Sequence, residues 1–343
     1  MPTAGTSATE ISNTGQVPIG DSSQQRWEEM LGSLGELLPG GSRRVLIDGP
    51  AEQAKLFASR LAEKLGTCGR PVQVTLDANG PRDVTVFLRT APGGRHFPVF
   101  RKDSNEQDQR DRRDREERAD VVIDLHDLHW PVIRRVAAPL AARGSWYLTE
   151  TRAFFACRAA SWDSKFGDDL PAYCAAVAEA GIRRSGIVID VGCGTGRALP
   201  PLREAVGPAG TVIALDVTPE MLDVARPAVQ LAGARMVIAD ARALPFADGS
   251  ADAIFAAGLV NHLPDTNQGL RELARVTSQG GLLVLFHPSG RAALAARHGH
   301  ALSADEPLSE GPLRRSTAAT GWELTAYDDA PHRFFAVAQR TSH

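Results

Sequence analysis

Asp190-Val-Gly-Cys-Gly-Thr-Gly196 follows the apolar run 187–189 and sets a carboxylate beside three closely spaced glycines. Without a β-carbon at Gly192, Gly194 and Gly196, the chain can turn sharply and let a ligand approach the backbone. A helix after such a turn offers free N–H groups at its start. The pattern is not the dinucleotide fingerprint G-x-G-x-x-G, because Arg197 stands where its third glycine would fall. Asp190 is unwelcome to a pyrophosphate and suits a ligand that carries an ammonium group. Asp216, 20 residues after Gly196, closes Val212-Ile-Ala-Leu-Asp. At that spacing an acid can accept both ribose hydroxyl protons. Asp240 closes Met236-Val-Ile-Ala-Asp and can accept a proton from an adenine amino group, with the Ala241 N–H nearby. In parallel α/β sheets ligands bind outside the carboxyl ends of the strands, so the three acids share one rim.

The elements that must position these residues alternate regularly after Gly186. Strands are expected at 187–191, 211–215, 235–238, 253–257 and 282–286, with helices between them. Two more, at 323–327 and 334–338, are close in sequence. Seven strands of this kind predict a mostly parallel sheet with an antiparallel edge pair. Ahead of them, strands at 44–48, 72–76, 84–88 and 121–125, with helices at 26–38 and 51–65, give a βαβ rhythm and a smaller α/β unit. Helices are expected at 131–143 and 146–160.

Together the rim motifs resemble the class I S-adenosylmethionine-dependent methyltransferases, in particular the small-molecule type related to the ubiquinone and menaquinone biosynthesis methyltransferases. The resemblance covers about residues 150–340. It rests on Val188-Ile-Asp-Val-Gly-Cys-Gly-Thr-Gly196, Ala214-Leu-Asp-Val-Thr-Pro-Glu-Met-Leu222 and Ala239-Asp-Ala-Arg-Ala-Leu-Pro-Phe246, then the 252–265 segment and Gln279-Gly-Gly281. Gln279 replaces the family's usual proline at a turn. The resemblance implies a Rossmann-like seven-stranded sheet with S-adenosyl-L-methionine as cofactor. Gly192, Gly194 and Gly196, with Asp190 and Cys193, would line its methionine and ribose portions, and Asp216 would hold the ribose. Val217 and Met221 would pack near the adenine, Asp240 with Ala241 would read its amino edge, and Ala257 would face the methionine end.

A sulfonium methyl is already activated, so the main demand on such a protein is to align a nucleophile with it. His262 and His287, each just beyond a rim strand, are the candidate bases for an O- or N-methylation. Packing or hydrogen bonding is the competing role for both. Phe154, Phe155, Trp162 and Phe166 are aromatic positions in a segment that forms a lid in related methyltransferases, and Trp162 is the expected lid contact. Core packing is the other reading. Cys193 reads as a small filler, not a nucleophile.

In the first half, Arg44-Val-Leu-Ile-Asp-Gly-Pro-Ala-Glu-Gln-Ala-Lys-Leu-Phe57 resembles the start of a uridine-kinase-type P-loop kinase, over about residues 26–137. Gly49 and Lys55 fit G-x-x-x-x-G-K-[ST], but Ala54 replaces the second glycine and Leu56 the hydroxyl that would hold Mg²⁺. This implies a degenerate, non-catalytic accessory unit. Ala119-Asp-Val-Val-Ile-Asp-Leu-His-Asp127 resembles a late strand of such kinases.

Composition sets the bounds. The 343 residues are 43% hydrophobic and 23% charged, which fits two globular domains and excludes a wholly disordered chain. A net charge of −3 gives no basic field for nucleic acid. The motif Asn/Asp-Pro-Pro-Tyr/Phe of nucleic-acid methyltransferases is replaced by Ala257-Gly-Leu-Val260. No apolar run approaches the roughly 20 residues of a membrane helix. The four cysteines lack metal-ligand spacing, so no metal site is expected, and a reducing cytoplasm is the expected compartment. The expected organisation is a disordered tail at 1–22 and an accessory unit at 23–145 with a charged loop at 101–119, a solvated helix being the other form open to that run. A methyltransferase domain then spans 146–343, with lead-in and lid helices at 146–182. A small-molecule acceptor is expected, and a homodimer is left open. The alternative is a cofactor-binding sensor or scaffold that transfers no methyl group.

Overall fold

The computed structural model describes residues 19–40, 44–69, 72–90, 106–142, 145–165, 168–297 and 302–341. Phe166 and most of the expected tail lie outside them. Two sheets follow one another along the chain.

The first half contains α1 (Ile19–Leu37), β1 (Arg44–Asp48), α2 (Ala51–Thr67), β2 (Gln73–Thr75), β3 (Val84–Arg89), α3 (Glu106–Arg118), β4 (Val121–Asp124), β5 (Val132–Val136) and α4 (Ala138–Ala141). Its five strands lie in the order β2-β1-β3-β4-β5, parallel except for β5. The Val-Leu-Ile of β1, Val86–Leu88 of β3 and Val121–Ile123 of β4 are buried, as strands covered on both faces require.

Three expectations are corrected here. The run 131–143 is not one helix: its first half is the strand β5, and only Ala138–Ala141 is helical. Val132–Val136 pairs antiparallel with β4, Ile123 opposite Ile133, because burying that apolar pair overrides the helix propensity of Arg134 and Arg135. The charged segment is not a loop over 106–118 but the helix α3. Arg135 Nη2 donates to the Ala119, Glu116 and Glu117 carbonyls at its end, and Arg115 pairs with Asp48 at 2.7 Å. The chain is already helical at Ile19, inside the expected 1–22 tail.

The link from β1 to α2 is only Gly49-Pro50, so residues 51–54 are helical where a P-loop needs an open cradle. A β-carbon on Gly49 would lie 2.8 Å from Leu88 Cβ, so this glycine is explained by strand packing. Lys55 pairs with Glu52 at 3.3 Å in solvent.

The second half begins with α5 (Trp146–Ala156), 3-10 turns at Ala159–Ser161 and Asp163–Lys165, and α6 (Leu170–Glu179). The expected 146–160 helix is therefore cut short at Ala156. Then come β6 (Ile187–Val191), α7 (Leu199–Val206), β7 (Thr211–Asp216), α8 (Pro219–Ala232), β8 (Arg235–Ile238), β9 (Ala251–Ala257), a 3-10 turn at Val260–His262, α9 (Thr266–Val276) and β10 (Thr277–His287). The chain ends with α10 (Arg291–Arg297), α11 (Glu310–Ala318), β11 (Trp322–Ala330) and β12 (Arg333–Arg340). The sheet order is β11-β12-β10-β9-β6-β7-β8. Only β12 runs against its neighbours. The order reverses between β6 and β9, which opens a crevice at their carboxyl ends. Gln279 sits in an irregularity of β10, between Thr277 and Leu282.

One apolar cluster joins the halves, from Trp27 and Phe57 through Trp146 and Tyr147 to Ile254, Leu273 and Phe334. At its centre the buried Arg26 donates to Glu150 at 2.5 Å and to the Pro131 carbonyl at 2.9 Å. The other Glu150 oxygen accepts the Ile133 N–H at 2.8 Å. Helix α5 thus packs on α1 and β5 as well as on the second sheet.

Candidate cofactor and acceptor site

The rim starts from β6, whose buried Ile-Asp-Val ends in the glycine turn. Gly192, Gly194 and Gly196 all adopt positive φ, at 73°, 54° and 85°. Their surroundings separate their roles. A β-carbon on Gly196 would press on Leu199 at 3.0 Å and Ala228 at 3.1 Å, and one on Gly192 on Leu259 at 3.2 Å. Over Gly194 nothing lies within 4 Å. Gly196 therefore lets α7 and α8 pack close to the turn, and Gly194 faces the space where a ligand could meet backbone.

Asp190 lies beneath this turn and is 1% exposed. Neither carboxylate oxygen has a hydrogen-bond partner. Burial, with the neighbouring Asp216 charge second, pushes its carboxyl up to about 8. An unsatisfied buried acid of this kind suits a ligand ammonium, which would supply both charge and donors. Asp216 is also buried, which raises its pKa, but it is better served. The Gly194 N–H donates to one oxygen at 3.0 Å and the Thr218 N–H to the other at 2.8 Å. Each oxygen keeps a lone pair for a ligand hydroxyl. Cys193 is buried, and burial together with both acids raises its thiol well above the ordinary value, so it is no nucleophile at neutral pH.

Further along the rim Met221 is fully buried at the start of α8, and Val217 is half-buried. Asp240 stands past the end of β8 beside the buried Ala241. Its two oxygens are held by Arg242, with Nε at 3.1 and 3.0 Å and Nη2 at 2.7 Å. The Arg242 guanidinium in turn lies 4.1 Å from the Tyr147 ring centre. Burial and the Asp240 charge push the Tyr147 phenol up to about 12. Ala257 ends β9, and the Gly258 N–H after it donates to Phe286 at 2.9 Å.

The two histidines differ. His262 is half-buried in an aromatic group, with Phe155 at 5.0 Å and Phe154 at 6.4 Å between ring centres. His287 Nδ1 lies 3.0 Å from both the backbone nitrogen and the carbonyl oxygen of Ser289, so its ring is held against that residue's backbone. Trp162 meets Phe155 edge-on at 5.4 Å, so the expected lid residue joins the cluster that holds His262.

Several residues of the rim escaped the sequence reading. Asp163 Oδ1 accepts from Thr195 Oγ1 at 2.6 Å and from Arg197 Nε at 3.0 Å, and Arg197 also pairs with Asp169. This strap ties the segment after α5 to the glycine turn. Arg152 Nε donates to the Val217 carbonyl at 2.9 Å from the same side. Arg242, two residues after an acid at a strand end, was the one with a spacing signal. The others are brought in from distant sequence.

Among the described residues no group of three His, Cys, Asp or Glu side chains is gathered as for a metal ion, and no helix is long and apolar enough to cross a membrane.

Residues 189–285 match the family described as Methyltransferase domain. A demethylmenaquinone methyltransferase of Staphylococcus aureus (strain JH9) is 34% identical over 110 residues, 32% of this chain and 46% of that protein. An uncharacterised 37.1 kDa protein of transposon TN4556 from Streptomyces fradiae is 38% identical over 101 residues, 29% of each chain. A SAM-dependent methyltransferase structure from Aquifex aeolicus is similar over 51% of this chain and 90% of its own, at 24% identity and a TM-score of 0.42. The chain thus spans less than half the length of those two curated relatives. The class that the match defines, over residues 189–285, is a methyltransferase domain.

Proposed function

We propose that the whole chain transfers a methyl group from S-adenosylmethionine to a small-molecule acceptor, with oxygen or nitrogen as the favoured atom. The observation that carries this reading is the buried, unpartnered carboxylate of Asp190 under the open face of Gly194, on one rim with Asp216. Asp190 would hold the ammonium group of the cofactor and Asp216 its ribose hydroxyls. Met221 and Val217 would pack at the adenine, and Ala257 would border the methionine end. Asp240 reads the adenine amino edge only if Arg242 gives up part of its hold, so the neighbouring Ala241 N–H is the simpler adenine contact. Bound there, the cofactor supplies an activated methyl on its sulfonium. The chain's own task is to exclude water and to orient the acceptor, with His262 or His287 taking a proton from the acceptor atom where it carries one.

The N-terminal unit is read as a non-catalytic accessory that buttresses α5, and a cytoplasmic location fits this chemistry. The test is a panel of hydroxyl- and amine-bearing small molecules incubated with the protein and S-adenosylmethionine, with S-adenosylhomocysteine release as readout. Release that depends on one acceptor and is lost in Asp216→Ala supports the reading. Cofactor binding without release on any acceptor favours the second reading, a sensor or scaffold. The strap from Asp163 to Thr195 and Arg197, which holds the segment after α5 against the turn, is the feature that favours it.

A further inference from the structure

Beside the aromatic group around His262 lie cations that the methyl-transfer reading does not use. The guanidinium of Arg134, on β5, stands 3.5 Å from the centre of the Phe154 ring. That of Arg158, just past α5, stands 4.0 Å from the same centre. Phe154 itself lies 6.4 Å from His262, directly beyond the carboxyl end of β9. The carboxyl ends of β3 and β4 reach the same place: Asp124, which closes β4, pairs with Val132, two residues before Arg134, and with Arg89, which closes β3. The carboxyl ends of the two sheets thus meet across α5.

The charges there do not cancel by contact. Arg89 is committed to Glu116, with Nε at 3.0 Å. Asp124 accepts from the His126 N–H at 2.9 Å, and the His126 Nδ1 lies 2.5 Å away. Arg158 donates to the Phe154 carbonyl at 2.8 Å and to Cys157 Sγ at 3.1 Å, neither of them charged. Arg134 has neither a hydrogen bond nor an ion pair among the described residues, and it is only half-buried. Burial draws its guanidinium down to about 10, with Arg89 and Arg158 adding and Asp124 opposing. Two guanidiniums lie against one aromatic ring, and that of Arg134 keeps all five donors unused among the described residues. A cation–π contact alone offsets little of the cost of holding them together. An oxyanion would, because the planar fork of arginine matches a carboxylate or phosphate through two parallel hydrogen bonds.

We propose that Arg134, assisted by Arg158, holds an oxyanion of the acceptor, carboxylate or phosphate, against Phe154 and within reach of the His262 cluster. The acceptor site is then completed by the N-terminal unit, which gives that unit a role in specificity. The inference rests on the methyl-transfer reading of the rim.

The test is calorimetric titration of the full chain with benzoate, phenyl phosphate and neutral benzamide, with S-adenosylhomocysteine titrated separately into each variant. One anion should bind roughly tenfold or more tighter than benzamide, and which one assigns carboxylate or phosphate. Arg134→Gln should erase that difference and leave S-adenosylhomocysteine affinity within about twofold. Equal binding of anions and benzamide, or selectivity that survives Arg134→Gln, overturns the proposal. Where Arg134→Gln also loses S-adenosylhomocysteine binding, Arg158→Gln replaces it, with the same two outcomes. Wild type that fails to bind S-adenosylhomocysteine sinks the methyl-transfer reading. An anion selectivity that depends on Arg134 would even then support the oxyanion site.

Discussion

Asp190 holds a proton in the folded protein that the unfolded chain gives up. Its folded pKa of about 8 lies above the ordinary 3.8, so stability falls as pH rises through the window between them. Asp190→Asn removes that fall. The variant should match wild type near pH 4 and melt at a higher temperature near pH 8.5, where thermal denaturation can compare them. The same ionisation favours an ammonium ligand. Cofactor affinity of the wild type should rise from pH 6 toward 8, until the ligand's own amino group begins to lose its proton. Affinity that is flat over that range would deny Asp190 its ammonium role. The glycines divide in the same way. Gly194→Ala meets open space and should fold with only the left-handed strain, about 1–2 kcal/mol, while losing cofactor affinity. Gly196→Ala crowds Leu199 and Ala228 as well and should lose more stability, as denaturant titration of the pair would read.

Among the elements, strands with long apolar runs were legible because burial on both faces leaves an unbroken pattern, as in β6, β7 and β9. Asp190 and Asp216 were legible with them, since each falls within the last two residues of its strand. β5 was not. Its apolar content is Val132 and Ile133, followed by two arginines, and only the pairing with β4 makes it a strand. The helicity of α3 was legible only as one of two forms, for the opposite reason. It has no apolar face, and it is held by Arg135 and by ion pairs with Arg89 and Asp48 from other elements. The strap after α5 also depends on such contacts. Asp163→Ala removes its side-chain bonds to Thr195 and Arg197 without touching the sheet, leaving the Arg197 Nη2 bond to the carbonyl of residue 163. Cofactor dissociation should then accelerate, about tenfold, with little change in melting temperature. Stopped-flow displacement of a fluorescent cofactor analogue would measure it, and an unchanged rate would make the strap purely structural.

At the scale of the whole molecule, the two sheets are joined by a continuous apolar cluster around the Arg26–Glu150 pair. Glu150→Ala leaves Arg26 Nη2 and the Ile133 N–H without their acceptor, while Arg26 keeps Glu29 and the Pro131 carbonyl. It should cost about 1–3 kcal/mol and loosen both halves together in denaturant. Independent unfolding of the halves would contradict one shared core. This coupling explains why a boundary at 145/146 is hard to draw from sequence, since α5 belongs to the packing of both units. It also places Arg134 of the first unit beside the rim of the second. The methyl-transfer reading depends on the rim binding the cofactor, and the most direct measurement is calorimetric titration of S-adenosylmethionine into wild type, Asp190→Asn and Asp216→Ala. Micromolar binding by wild type, weakened about a hundredfold or more in both folded variants, is the predicted result. A well-folded wild type that binds nothing, or variants that bind as tightly as wild type, would contradict the account.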